Sequence, residues 1–294
     1  MKIGVMGAGA VGCYYGAMLA RAGHDVTLVG REALVQAAGT AGLVLESGGA
    51  RIPVRVRATT DPAALAASDL VLFCVKSAAT EAAGRALSSL PAGCPVLCLQ
   101  NGVDNPQRLA AVLGRPVVPV AVYVAVEMAG PAHVKHLGRG DLIMGRFAGS
   151  DAVAKALAAA GVAVRVSDEV LTALWQKLIT NCAYNAMSAI TRLPYGQLAQ
   201  VPGATQVMSD VAAEVVAVGR GAGVALPDLD MKPVLELAVT MAGQYSSTAQ
   251  DLARHKPTEI DYLNGYVVRQ GLALGIPTPA NRVLVTLVRA LESR

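Results

Sequence analysis

The chain has 294 residues, of which 53% are apolar and 16% are charged, and its formal net charge is +4. This length allows two domains with a core each, and the high apolar content excludes an intrinsically disordered chain. The charge is spread along the chain without a basic run that includes aromatic residues, so we expect no nucleic-acid partner.

The cysteines and histidines predict neither disulfides nor a metal centre. The five cysteines are an odd number without regular spacing, which is typical of small core residues in a reducing compartment. His133 and His136 are close in sequence, but no cysteines or carboxylates are spaced to complete a metal shell. The longest apolar run, 117–126, contains Pro119 and is too short to cross a bilayer, and no leader segment is visible. We therefore expect a cytoplasmic protein with no membrane segment.

The first thirty residues predict a strand, a glycine-rich turn, a helix and a second strand. An apolar run at 2–6 leads into the turn, a helical segment follows at 13–22, and a second apolar run covers 26–29. In this context Gly7 permits a tight turn, Gly9 lets the backbone approach a pyrophosphate, and Gly12 allows close packing of helix on strand. The N–H groups at the helix start would face the phosphates. The sequence therefore predicts a dinucleotide site at Gly7, Ala8, Gly9, Ala10, Val11 and Gly12.

Arg31 follows the second strand, where NAD-binding sites usually carry an acidic residue that accepts hydrogen bonds from the ribose 2′-hydroxyl. A guanidinium binds a 2′-phosphate through two hydrogen bonds and gains little from a neutral hydroxyl. The residue predicts NADP(H) as the cofactor. The neighbouring Glu32 weighs against this prediction, and a solvated surface arginine is the alternative interpretation.

After Arg31 short apolar runs alternate with helical segments, which predicts a mostly parallel, doubly wound sheet. Strands are expected at 43–46, 52–58, 69–75 and 95–99, and a helix over 78–89. Lys76 and Asn101 follow two of these strands at the edge where open α/β sheets bind ligands. Both are candidates for contact with the ligand. A solvated lysine and an ordinary Asn-Gly turn are the alternatives.

From residue 117 the pattern changes to strands with few helices, at 117–126, 133–136 and 142–144. Turn signals at Gly130-Pro131, Gly138 and Gly140 separate them, which predicts an antiparallel extension of the sheet. A helix over 151–160 and a strand over 162–166 would complete the first domain. Ser167 is a predicted N-cap, so we place a nucleotide-binding Rossmann-like domain at 1–167 and a helical substrate domain at 168–294.

The first helix of the second domain carries a polar stripe. Lys177, Asn181 and Asn185 recur every four residues and therefore share one helix face. One ammonium and two amides between apolar residues form a suitable wall for a small polar anion, since they donate to carbonyl, hydroxyl and carboxylate groups. A solvent-facing stripe is the alternative interpretation.

Hydroxyl and acidic groups recur further along the chain. Ser246, Ser247 and Thr248 open a predicted helix, and their hydroxyls would either cap it or bind a substrate carboxylate. Thr258 to Asp261 has the pattern of another helix start, and a first-turn acid stabilised by the helix dipole is the simplest interpretation of Glu259. The apolar helices over 205–221 and from residue 281 would form either core or the interface of a homodimer.

The whole chain resembles the ketopantoate reductase family, the 2-dehydropantoate 2-reductases. The resemblance is carried by motifs that occur jointly and in order in both halves of the chain. They are Gly7-x-Gly9-x-x-Gly12, Arg31, Val75-Lys76, Gln100-Asn101-Gly102, Gly130-Pro131 before His136-x-Gly138-x-Gly140, Lys177-x-x-x-Asn181-x-x-x-Asn185, Ser246-Ser247 with Gln250-Asp251, and Thr258-Glu259-Ile260-Asp261.

The resemblance implies NADPH-dependent reduction of the C2 ketone of ketopantoate to (R)-pantoate, in pantothenate and coenzyme A synthesis. It implies that Lys177 is the general acid and that Glu259 belongs to the catalytic and cofactor-binding set. Asn181, Asn185 and Ser247 would hold the substrate together with Lys177. Lys76 and Asn101 would lie near the nicotinamide and its ribose.

Two positions depart from the family pattern near the expected substrate site. Tyr195 stands where an asparagine is common, and Thr248 stands where a larger apolar residue is common. These departures bear on the substrate more than on the reaction, so another bulky 2-keto acid is the first alternative. A β-hydroxyacid-type dehydrogenase and a non-enzymatic NADPH-sensing module are the others.

Overall fold

The computed structural model describes residues 1–293 and divides the chain into two compact units, Met1–Val170 and a second that begins at Leu171. Each unit is described separately below. The first contains a mainly parallel sheet with helices, and the described part of the second contains helices and one short 3₁₀ turn. This arrangement confirms the predicted class, a Rossmann-type doubly wound sheet with an antiparallel extension followed by a helical domain.

The sheet of the first unit has ten strands in the order β4-β3-β9-β8-β7-β6-β1-β2-β5, with β10 also paired to β9. The strand β9 has room for two partners on one edge, because β3 pairs with its first residues and β10 with its last. The strands are β1 (Lys2–Met6), β2 (Asp25–Val29), β3 (Leu43–Ser47), β4 (Ala50–Val54), β5 (Arg57–Thr59), β6 (Leu70–Phe73), β7 (Val96–Cys98), β8 (Val118–Gly130), β9 (His133–Gly145) and β10 (Val164–Ser167).

The central strands are parallel and buried on both faces. In β1, Val5 belongs to one core cluster and Met6 to the other, and Leu28 and Val29 of β2 divide in the same way. This division follows from the alternation of side chains along a strand. Helices cover the sheet: α1 (Ala10–Arg21), α2 (Glu32–Ala41), α3 (Thr80–Arg85), α4 (Asn105–Leu113) and α5 (Ser150–Ala159), with 3₁₀ turns at Pro62–Leu65 and Ser77–Ala79.

The antiparallel extension is a long hairpin of β8 and β9, and here one sequence prediction was wrong. The segments 133–136 and 142–144 are parts of one strand, because Gly138 and Gly140 are not turn residues. The pairing with β8 passes over Leu137 and Gly140, so both are extra residues of β-bulges. The glycines permit the irregular backbone at the bulges. In the sequence alone, the same glycines resemble those of a turn.

Two predicted helices are shorter than expected. The segment 78–89 forms a 3₁₀ turn followed by the six-residue helix α3, which ends at Arg85. The segment from Thr258 forms only the 3₁₀ turn Ile260–Tyr262, and the α-helix begins at Asn264. The pattern at Thr258 marked a turn of helix but not its continuation.

Besides α6 (Val170–Thr191), which begins at its boundary, the second unit contains six α-helices within its described residues. They are α7 (Tyr195–Leu198), α8 (Ala204–Gly221), α9 (Lys232–Thr240), α10 (Ser247–Ala253), α11 (Asn264–Leu274) and α12 (Pro279–Glu292). The buried side of α6 is fixed by Trp175, whose ring lies edge-on to Tyr266 at 6.0 Å between centroids. None of the helices in residues 1–293 has the length and apolar character needed to span a membrane.

Candidate active site

The glycine-rich turn between β1 and α1 has the backbone geometry that its sequence predicts. Gly7 has φ +102°, and a Cβ there would lie 2.6 Å from the Val75 nitrogen. A Cβ on Gly12 would lie 2.3 Å from the Gly7 oxygen and 2.9 Å from Val5 Cγ1. Both positions therefore exclude any side chain, because neighbouring backbone occupies the space.

Gly9 differs from the other two glycines, and this difference fits a bound dinucleotide. A Cβ at Gly9 would meet no heavy atom within 4 Å, so the fold itself does not require glycine there. Gly9 is the N-cap of α1, with φ −86° and no side-chain cap. The first N–H groups of α1, from Ala10 onward, lack intrahelical acceptors because of helix geometry. The open space before them is suited to a pyrophosphate.

Arg31 follows β2, the strand that pairs with β1 and therefore ends beside this turn. It is exposed, and it is the N-cap residue of α2 directly after β2 and Gly30. The turn is connected to that strand end, because the Gly7 and Ala8 N–H groups donate to the Val29 oxygen at 3.1 and 2.9 Å. A guanidinium at this place is available to a phosphate on the ribose of a nucleotide bound at the turn.

Lys76 and Asn101 lie at the carboxyl ends of β6 and β7, as predicted. Lys76 is exposed and caps the 3₁₀ turn Ser77–Ala79, whereas Asn101 is half-buried and precedes Gly102, which has φ +94°. The structure brings the two loops together, since the Asn101 backbone oxygen accepts hydrogen bonds from Ser77 Oγ at 3.4 Å and from Asn105 Nδ2 at 2.6 Å. This edge also contains the glycine-rich turn, because β1 and β6 are paired.

In the second unit, α6 carries the predicted polar stripe on one face. Lys177 and Asn181 are half-buried, and Asn185 is 4% exposed. The solvent-facing interpretation of this stripe is therefore wrong for Asn185, because that residue is almost completely shielded from solvent. A buried side chain of α11 also contacts this helix, because Asn264 Nδ2 donates to the Cys182 backbone oxygen at 3.1 Å.

The two serines before α10 have different environments. Ser246 is the N-cap, because its Oγ accepts from the Ala249 N–H at 3.0 Å. The same hydroxyl donates to the Asn185 backbone oxygen at 3.0 Å. Ser247 is exposed at the first position of the helix. Ser246 thus performs the capping that the sequence left open, and it joins the segment of Ser247 to Asn185.

Glu259 and Tyr195 are both buried. Glu259 is 7% exposed and makes no capping hydrogen bond to the 3₁₀ turn that follows it, so its burial is not explained by helix capping. Tyr195 is 9% exposed, with its ring 4.6 Å from that of Tyr184. The Tyr195 N–H donates to the Gln244 oxygen at 3.0 Å, which ties it to the loop before Ser246. Burial raises the pKa of the Tyr195 hydroxyl well above its usual range.

The cysteines and acidic residues show no sign of metal or disulfide chemistry within residues 1–293. All five cysteines are free, and no group of three or more His, Cys, Asp and Glu residues there is arranged to hold a metal. Burial raises the pKa of the Cys13 and Cys98 thiols to about 12. Such thiols remain protonated near neutral pH and are poor nucleophiles.

Sequence reasoning missed a set of buried polar residues beneath the loops of Lys76 and Asn101. Gln100 and Thr80 bond each other at 2.8 Å, and Asn105 bonds Ser77 Oγ at 3.0 Å. The available sequence signals were weak: Gln100 precedes an Asn-Gly pair, and Asn105 precedes a proline at a helix start. Neither signal indicates that the side chains meet.

Comparison with protein families matches both units. The sequence matches the model described as "Ketopantoate reductase PanE/ApbA" over residues 3–149. It also matches the model described as "Ketopantoate reductase PanE/ApbA C terminal" over residues 169–292. A 2-dehydropantoate 2-reductase of Halobacterium salinarum is 33% identical, and the alignment covers 99% of each chain.

Solved structures share the fold over the full length. The crystal structure of a PanE/ApbA family ketopantoate reductase from Ralstonia eutropha has a TM-score of 0.96 at 54% identity, and the match covers 100% of this chain and 99% of that one. The ternary structure of D-mandelate dehydrogenase with NADH and anilino(oxo)acetate has a TM-score of 0.92 at 25% identity, with 100% and 98% covered.

Proposed function

The chain belongs to the ketopantoate reductase family, and from this membership we propose that it reduces the ketone of 2-dehydropantoate to (R)-pantoate with NADPH, a step in pantothenate and coenzyme A synthesis. The observation that carries the proposal is the stripe of Lys177, Asn181 and Asn185 on one face of α6. A cation that can release a proton, followed by two amides, matches the needs of a 2-keto acid that becomes an alcohol.

The first unit would hold the cofactor. Its glycine-rich turn leaves open space at Gly9 in front of the α1 N-terminus, which supports pyrophosphate binding there. Arg31 would bind the 2′-phosphate, and Lys76 and Asn101 would lie toward the nicotinamide and its ribose. Bound NADPH supplies the hydride that this reaction needs at C2.

Lys177 would stabilise the charge that appears on the substrate oxygen and then protonate it. Arrival of a hydride makes C2 tetrahedral and places negative charge on oxygen, so a nearby ammonium favours the transition state over the ground state. Lysine can also give up its proton, which an arginine at the same place would retain.

Asn181, Asn185 and Ser247 would bind and orient the substrate. Their amide and hydroxyl groups can donate to a carboxylate and also exchange hydrogen bonds with a hydroxyl. The Ser246 contact to the Asn185 oxygen supports a shared site for Asn185 and Ser247. The buried Glu259 would either orient Lys177 or accept a hydrogen bond from a hydroxyl of the substrate or cofactor.

A second candidate function is favoured by Tyr195. Its ring packs on Tyr184 beside the segment that leads to Ser246 and Ser247. In the family pattern an asparagine is common at this position. An aromatic wall there favours a 2-keto acid with an apolar or aromatic substituent. The similar D-mandelate dehydrogenase was solved with NADH and anilino(oxo)acetate, an aryl 2-oxo acid analogue.

Initial-rate assays with purified enzyme would separate these functions. NADPH and NADH oxidation are measured with ketopantoate, phenylglyoxylate, 2-oxoisovalerate and pyruvate, each over a range of concentrations. The proposed function requires the highest kcat/KM for ketopantoate with NADPH. A higher kcat/KM for phenylglyoxylate would establish the second candidate. If neither cofactor is oxidised with any of the acids, the non-enzymatic NADPH-sensing module is the remaining interpretation.

We also propose the compartment and assembly. Five reduced cysteines fit the cytoplasm, where thiols stay reduced. Val283 and Leu287 are exposed four residues apart on α12, and Leu272 is exposed on α11. Exposed apolar side chains on neighbouring helices would suit a homodimer interface, and light scattering at several concentrations would measure its mass.

A further inference from the structure

We propose that Asn105 is a positioning residue that holds Lys76 and Asn101 in place for catalysis. The inference rests on the proposed function, in which these two side chains lie toward the nicotinamide and ribose. Asn105 is fully buried at the start of α4, and its side chain contacts both loops. Its Nδ2 donates to the Asn101 backbone oxygen at 2.6 Å and to Ser77 Oγ at 3.0 Å, and Ser77 directly follows Lys76.

A second layer of side chains fixes Asn105 itself. Arg108 donates to Asn105 Oδ1 at 3.0 Å and to the Ser77 oxygen at 3.0 Å. The same guanidinium forms a two-point pair with Glu81, at 2.7 Å from Nε to Oε1 and 2.8 Å from Nη2 to Oε2. A planar guanidinium bound at several points has little freedom to rotate, so the amide of Asn105 has a defined orientation.

The backbone is held on both sides of Lys76. Gln100 Nε2 donates to the Val75 oxygen at 3.0 Å, and Arg108 donates to the Ser77 oxygen, so the two residues that flank Lys76 are both bonded. Thr80 links the layers: its hydroxyl accepts from Gln100 Nε2 at 2.8 Å and lies 3.1 Å from Asn105 Oδ1. The network therefore bonds the backbone immediately before and after Lys76 and the backbone of Asn101 itself.

The uncharged polar side chains of this network are almost completely buried. Ser77, Thr80 and Asn105 are fully buried, and Gln100 is 5% exposed. Buried polar groups are costly unless every member is bonded, and a fully bonded set makes the local structure rigid. Reaction rates are sensitive to displacements of the groups around the reacting atoms, so rigidity at this edge has a functional use.

The test measures NADPH dissociation constants and kcat in wild type, Asn105→Ala and Asn105→Asp, alone and in combination with Asn101→Ala. Asn105→Asp keeps the size of the side chain and the acceptor for Arg108, but it removes the donor to the Asn101 oxygen. We expect either substitution to lower kcat or raise the NADPH dissociation constant by about tenfold, the scale of one lost buried hydrogen bond with its partner left unbonded.

The combined variants distinguish positioning from a general loss of stability. If Asn105 acts largely through Asn101, the same substitution in the Asn101→Ala chain has less than about a third of its effect, because the side chain to be positioned is absent. Val96→Ala is the matched control, since it opens a cavity at a buried residue of β7 whose side chain forms none of the hydrogen bonds of the network. It should lower thermal stability and leave both constants within about twofold of wild type.

The outcomes separate the two claims. Wild-type constants in both Asn105 variants would overturn the positioning role while NADPH turnover stands. Equal effects with and without Asn101→Ala would overturn the part of that role that acts through Asn101. If wild type neither binds NADPH nor turns over a keto acid, the proposed function fails and the positioning role fails with it.

Discussion

At the scale of single residues, the three glycines of the first turn have different reasons to be glycine. Gly7 and Gly12 face backbone atoms at distances that no Cβ tolerates, whereas Gly9 faces open space. The sequence pattern assigns roles to all three, and the structure shows that only two are required by the fold. Gly9 is therefore the position at which cofactor binding can be altered with little change in stability.

Gly9→Ala should weaken NADPH binding much more than it weakens folding. Its backbone, with φ −86°, suits alanine, and the cost at a helix N-cap is less than about 1 kcal/mol. The new methyl group would occupy the space before the α1 N-terminus, so NADPH affinity should fall at least about tenfold. Gly12→Ala is the comparison, with a loss of about 1–3 kcal/mol in unfolding free energy. Thermal unfolding and fluorescence titration measure the two effects, and unchanged NADPH affinity in Gly9→Ala would count against the site.

Arg31→Ala should reduce affinity for NADPH by at least about tenfold and leave that for NADH within about twofold, because only NADPH carries the 2′-phosphate. Arg21→Ala removes an exposed arginine at the other end of α1 and serves as the charge control. Titration of each variant with both cofactors gives the ratio. Equal losses for NADPH and NADH would show that Arg31 does not select the phosphate.

At the scale of elements, the sequence predicts the strands and helices well where they follow local rules. Alternating apolar runs and helical segments locate β1, α1 and β2, and the period of four locates the polar face of α6. The bulged strand β9 could not be predicted, because Gly138 and Gly140 have the same composition as a turn. The network of Asn105 was also beyond prediction, since its partners lie up to 28 residues away in the chain.

The bulge at Gly140 provides a prediction for this element. A Cβ there would lie 2.7 Å from the Tyr14 hydroxyl oxygen, and φ is +136°. Gly140→Ala should therefore lower the unfolding free energy by about 1–3 kcal/mol. Gly138→Ala, where a Cβ meets no atom within 4 Å, is the control and should cost less. Denaturant titration compares them. The account of β9 is wrong if the two substitutions cost the same and Tyr14→Phe recovers nothing in Gly140→Ala.

At the scale of the whole molecule, the two units carry different parts of the proposed reaction. The first unit contains the turn, Arg31 and the loops of Lys76 and Asn101, and the second contains α6, Ser247 and Glu259. The sequence suggested this division from its change of pattern near residue 167. The identity of the keto acid could not be predicted in the same way, because it depends on side chains that folding brings together from distant parts of the chain.

The division of labour predicts that catalysis and cofactor binding can be separated by one substitution in the second unit. Lys177 would supply the proton, whereas the groups proposed to bind NADPH lie mainly in the first unit. Lys155→Ala, which removes an exposed lysine of α5, is the matched control.

The most direct measurement is kcat for the preferred keto acid, together with the NADPH dissociation constant, in wild type, Lys177→Ala and Lys155→Ala. We predict that Lys177→Ala lowers kcat by at least about 10² while NADPH binding stays within about twofold, and that Lys155→Ala changes neither. Wild-type turnover by Lys177→Ala would contradict the account.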